Sequence, residues 1–123
     1  MIQGSINAFR EAVLPLQLRT PDGRVVDLDA VIDTGFSDYV ALPPAVVSSP
    51  QLPYYGTADF ELGNGDLVTF RVYTAAALWD GLEFEIPILA SDGGALIGMR
   101  MLYGYQLFVD VVDGGDVIVQ RRS

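Results

Sequence analysis

The chain has 123 residues, half of them hydrophobic and 19% charged, which describes one folded domain with a modest core and not a disordered segment. It contains no Cys and no His, and its seven basic residues are all Arg, so thiol catalysis, Cys- or His-ligated metals, Ser-His-Asp hydrolysis and Lys Schiff bases are excluded. A net charge of −9 argues against nucleic acid, whose binding is driven by cations on phosphates.

Carboxylates, hydroxyls and backbone are what remain for chemistry, with no cofactor or metal called for. No apolar run approaches the ~18 residues of a membrane helix. The first seven residues lack the basic region and apolar block of a secretory signal, so the expectation is a soluble, cytoplasmic protein with no membrane partner.

Residues 1–10 carry little pattern and read as a terminal strand or arm. From Glu11 to Arg19 the run is β-like, and Pro15, which has no N–H to donate, points to an edge position. Thr20-Pro21-Asp22-Gly23 is a turn signal, with Pro early and Gly late. Beyond it Val26, Leu28, Ala30 and Ile32 alternate with Asp27 and Asp29, the period of a strand with one apolar face. A hairpin therefore delivers Asp33 to the end of its second strand.

Asp33 is followed by Thr34 and Gly35. An ionised carboxylate at the mouth of an apolar strand is costly unless donors satisfy it or a neighbour shares its proton. Thr34 offers a hydroxyl, and Gly35 lets the backbone turn tightly beside the acid. The triplet also suits an ordinary turn. Alone it decides nothing.

Tyr39–Leu42 reads as a short strand, Pro43–Val47 as the start of a helical turn, and residues 48–56 as an irregular loop. Two strand candidates, Thr57–Leu62 and Asp66–Leu78, flank the hairpin tip Gly63-Asn64-Gly65. That tip is cheap to bend and suits either a lid or a plain tight turn. Asp80-Gly81 marks another turn, after which Leu82, Phe84, Ile86 and Ile88 share a face. Leu96-Ile97-Gly98 follows a glycine break, Met99–Tyr103 reads as a short helix capped by Gly104, and a hairpin over residues 106–120 ends the chain.

Taken in order, Ile32-Asp33-Thr34-Gly35, the glycine-tipped hairpin, and Leu96-Ile97-Gly98 before a short helix resemble the retropepsin-like aspartic proteases. Asp33-Thr34-Gly35-Phe36-Ser37 followed by Leu42-Pro43 is similar to the small bacterial members of that clan. The resemblance spans about residues 12–120 and implies an all-β fold, a small closed β-barrel with one short helix, made of a single domain over residues 1–123. It also implies an endopeptidase in which two aspartates share a proton and activate a water. One Asp-Thr-Gly is present, so the second aspartate would come from a twofold homodimer. Asp33 would be catalytic, and Thr34 would brace the dyad across the axis. Gly35 would present backbone to a peptide or protein substrate. Gly63, Asn64 and Gly65 would form the flap, with Leu96, Ile97 and Gly98 as scaffold behind the acid.

The chain departs from retroviral relatives at Phe36, where they often carry Ala, and at Ser37 and Met99, where they commonly pair an acid with an Arg. That ion pair is expected to be missing, or rebuilt from Asp38 and Arg100. A second reading from another class is a catalytically silent barrel used for dimerisation or peptide binding. Asp110, Asp113 and Asp116 lack the ligand spacing of a calcium loop and read as a solvated turn. No other acid shares Asp33's apolar-strand setting, which leaves a glycosidase-type pair without support.

Overall fold

Turn chemistry and two-residue alternation place most of the strands. The structure, a computed structural model, describes residues 1–48 and 51–122. In chain order the elements are β1 (Ile2–Ile6), β2 (Ala12–Arg19), β3 (Val25–Ile32), β4 (Val40–Leu42), α1 (Pro44–Ser48) and β5 (Tyr54–Glu61). They continue with β6 (Leu67–Trp79), β7 (Leu82–Ala90), β8 (Leu96–Ile97), α2 (Met99–Leu102), β9 (Tyr105–Val109) and β10 (Asp116–Arg121). The fold is all-β.

All ten strands join one sheet in the order β5-β6-β7-β4-β8-β3-β2-β1-β10-β9. An extra pairing, Gln17↔Leu78 to Arg19↔Ala76, links β2 to β6 and bends six of the strands into a partial ring. The expected closed barrel is therefore only partly present, since β5 and β9 lie at the two ends of the strand order. Pro15 was expected on an edge strand, but β2 has neighbours on both sides. The edge of β2 away from β3 pairs with β1 at Ala12 and Val13, then with β6 from Gln17 onward, and Pro15 falls in the gap between them.

Among the described residues there are two short helices where one was expected. Pro43 and Pro44 start α1, and the Pro43 carbonyl accepts from Val46 N–H (2.9 Å) and Val47 N–H (3.2 Å). A proline there sacrifices no helical hydrogen bond. The irregular loop expected over residues 48–56 falls partly on 49 and 50, outside the described residues, and β5 already begins at Tyr54.

Alternation builds two apolar layers. The main core takes Leu14, Leu16 and Leu18 from β2, Val40 and Leu42 from β4, Ala75, Ala77 and Trp79 from β6, and Ile86 and Ile88 from β7. Burying each of the larger aliphatic side chains contributes about 1.5–3 kcal/mol. The intervening residues Ala41, Val72 and Leu89 face the other way and form a second cluster with Phe36, Ala58, Phe60, Phe70 and Leu96.

Asp80 and Gly81 both have positive φ (52° and 78°), giving the two-residue turn that matches the twist of β6 and β7. The Asp80 carboxylate accepts a hydrogen bond from the Met1 α-amino group and lies 3.6 Å from the Arg121 guanidinium. The hydrogen bond first, and the two positive charges after it, hold its carboxyl below the usual range. A lowered folded-state value means that stability is fully present above the unfolded value near ~3.9 and is lost as pH falls through the folded one. Asp80→Asn, which still suits the positive φ, is therefore expected to flatten part of the acid limb of a urea-midpoint-against-pH curve. An unchanged acid limb would count against this role.

Candidate functional site

The end of β3 is held from behind. β8 lies between β3, which it meets in parallel (Val31↔Leu96, Ile32↔Ile97), and β4, which it meets antiparallel (Val40↔Ile97, Ala41↔Leu96). Asp33 N–H donates to Ile97 O at 2.9 Å, so the acid's backbone is pinned to the scaffold strand. The loop then turns back on itself, with Phe36 N–H donating to Asp33 O at 3.1 Å. Met99 N–H donates to Phe36 O at 2.8 Å, and Gly98 N–H to Tyr39 O at 2.9 Å.

Gly98 is what allows this approach. A Cβ there would lie 2.1 Å from Asp38 O and 2.7 Å from Phe36 O, far inside van der Waals contact. Leu96, Ile97 and Gly98 thus sit directly behind the Asp33 loop.

The Asp33 side chain is half-buried, and its Oδ1 accepts the Gly35 N–H at 2.9 Å. Gly35 is close enough that a Cβ there would stand 3.3 Å from the same oxygen. Thr34 and Gly35 are exposed, and among the described residues the Thr34 hydroxyl makes no hydrogen bond. No second carboxyl group hydrogen-bonds to Asp33 among the described residues. A lone carboxylate can take a proton from water but lacks the acid that must protonate or hold the opposite oxygen.

The tip Gly63-Asn64-Gly65 closes the β5–β6 hairpin. Leu62 and Asp66 pair across it, and Asn64 Oδ1 accepts the Asp66 N–H at 3.0 Å. Below the tip Phe60 and Phe70 pack edge to face at 5.6 Å and join the second apolar cluster, which also takes Phe36, three residues after Asp33. Hairpin and acid loop are therefore connected through a shared apolar layer. Sequence reasoning named the tip and the acid but missed this layer. Its signal is the opposite phase of alternation at Ala41 and Leu89, whose neighbours in sequence belong to the main core or pack against it.

Asp38 and Arg100 are not paired. The Asp38 carboxylate accepts Tyr39 N–H at 2.8 Å, and the Arg100 guanidinium stacks 5.8 Å from the Tyr39 ring centre. The expected ion pair between these two side chains is not formed within the chain. A cleft of about 860 Å³ is lined by Asp27, Asp29, Trp79 and Glu83, and another of about 650 Å³ by Tyr39, Phe84, Arg100 and Tyr105. Asp33 lines neither. No helix among the described residues is long and apolar enough to cross a membrane.

No protein-family model matches the chain, and no curated protein matches it significantly.

Proposed function

We propose that the chain is one half of a homodimeric aspartic endopeptidase of the retropepsin-like type. The observation that carries this reading is the clamped loop: a half-buried Asp33, bonded by Gly35 N–H and braced from behind by β8 through Gly98. Such bracing holds one carboxyl group in a fixed direction, which a proton-sharing pair requires. A second copy supplies the second Asp33. One carboxylate takes the proton of a water attacking the peptide carbonyl, while the protonated one donates to the developing oxyanion. Thr34, exposed and without a side-chain partner among the described residues, bonds across the axis.

In the same reading the β5–β6 hairpin is the flap, and Gly63, Asn64 and Gly65 its tip, closing over an extended peptide. The half-buried Phe36, Phe60, Phe70 and Leu96 between hairpin and loop favour cleavage beside bulky apolar side chains. Two carboxyl groups about 3 Å apart share one proton, so the pair must keep it for turnover. Cleavage is accordingly expected to peak at mildly acidic pH and fall as the shared proton leaves.

A peptide-library digest at several pH values, with and without a statine-type inhibitor, measures this. Rates that keep climbing above pH ~9 contradict the mechanism. A folded dimer that cleaves nothing at any pH would leave the silent peptide-binding or dimerisation module in its place.

A further inference from the structure

We infer that the smaller of the two clefts, between α2, β9 and the β6–β7 hairpin end, binds a small aromatic carboxylate, its anionic end on Arg100. The inference does not rest on the protease reading, because Asp33 does not line this cleft. Its volume of about 650 Å³ suits a small molecule. Tyr39, Trp79, Phe84, Tyr103 and Tyr105 supply aromatic rings to the wall. Trp79 and Tyr105 already meet edge to face at 6.2 Å, and a flat ring entering between such walls gains the same kind of contact.

The charge of the wall selects the ligand. The chain carries 16 acidic residues against seven basic ones, yet among the described residues Arg100 is the one charged group lining this cleft. The larger cleft is the opposite case, with Asp27, Asp29, Asp80 and Glu83 around it. Asp38 is not part of the wall, and its carboxylate accepts the Tyr39 N–H at 2.8 Å. Arg100 makes no ion pair with it or with any other acid among the described residues. Its guanidinium lies 5.8 Å from the Tyr39 ring centre. Stacking uses the face of the guanidinium and leaves its N–H edge for a carboxylate.

A second observation points to the same place. The Trp79 indole N–H is buried and has no acceptor among the described residues. Buried donors are nearly always paired, so an orphan in a cleft wall marks a place where a ligand oxygen can bond. Trp79 borders both clefts, but its ring packs on Tyr105, which lines only the smaller one. The indole nitrogen is out of reach of solvent, so a ligand bonds it only as the wall opens. Leu82, Met99 and Tyr103 are wall residues with much of their surface in water, and they can turn aside at little cost in packing.

Trp79 is the only tryptophan, so a single indole peak in a proton–nitrogen correlation spectrum reports on the cleft. The probe is hydrocinnamate near pH ~7, where its carboxyl group is ionised, beside the neutral hydrocinnamamide and the cationic phenylpropylamine. The acid is expected to move the indole peak saturably, with a midpoint below about 10 mM. The amide is expected to bind at least about tenfold more weakly, and the amine not at all. Arg100→Gln, at an exposed site, is expected to weaken the acid at least about tenfold while the rest of the spectrum stays in place. Arg100→Lys is expected to recover part of that loss, since it restores the charge without the planar fork. Arg71→Gln removes a guanidinium that stacks on Tyr54, neither residue lining the cleft, and is expected to change nothing.

An indole peak that stays put or never saturates overturns the inference, as does equal binding of acid and amide. So does an Arg100→Gln variant that binds like the wild type, or an Arg71→Gln variant weakened as much.

Discussion

Asp33→Asn is expected to lower kcat for peptide cleavage by at least about 10³-fold while leaving a folded dimer. The amide keeps an oxygen where Oδ1 accepts the Gly35 N–H, so the one side-chain hydrogen bond that Asp33 makes among the described residues survives, weakened by loss of its charge. Unfolding free energy should therefore change by no more than about 1 kcal/mol. In the proposed mechanism, what disappears is the ability to take a proton from water, and it disappears from both halves of the proposed dyad. The measurement is kcat on a cleaved peptide beside a urea melt and a sedimentation profile of the same sample. Hydrolysis at the wild-type rate by a folded Asp33→Asn dimer removes Asp33 from the chemistry. An unfolded variant would instead mean that the carboxylate's charge matters more to the loop than its single hydrogen bond indicates.

Gly98→Ala is expected to destabilise the protein by about 3 kcal/mol or more, a large share of the ~5–15 kcal/mol typical of a domain. The new Cβ would lie 2.1 Å from Asp38 O and 2.7 Å from Phe36 O, and both obstacles are backbone, which cannot rotate aside. Relief requires moving the loop off β8. That breaks Gly98 N–H to Tyr39 O, Met99 N–H to Phe36 O and Arg100 N–H to Asp38 O. Because the same loop holds Asp33, any residual folded population should also lose activity beyond its loss of stability. Gly63→Ala is the matching control, since a Cβ there meets nothing within 4 Å. It should shift stability by less than about 0.5 kcal/mol. Equal urea midpoints for the two variants would show that the loop does not depend on this close approach.

The two variants separate what Asp33 does from what holds it. Loss of activity at constant stability belongs to the carboxylate, and loss of both belongs to the clamp.

Much of the chain was legible from the sequence because the signals are local. Thr20-Pro21-Asp22-Gly23 and Asp80-Gly81 place turns through the φ values their residues tolerate, and Gly23 and Gly81 do adopt positive φ. Alternation at Val26, Leu28, Ala30 and Ile32 fixes which face of β3 is apolar, and with it the arrival of Asp33 at the strand end. These effects act within a few residues, so neighbours in sequence suffice to read them.

What only the tertiary structure decided involves partners far apart in the chain. Two-residue β8 has too few residues to show a period, and its place between β3 and β4 depends on long-range pairing. The need for glycine at position 98 arises from carbonyls of a loop that precedes it by five strands and one helix, which no local pattern encodes. The partial ring and the second apolar cluster both follow from strand order. Strand order is set by which non-local pairings together bury the most apolar surface, a property of the whole chain and not of any stretch of it.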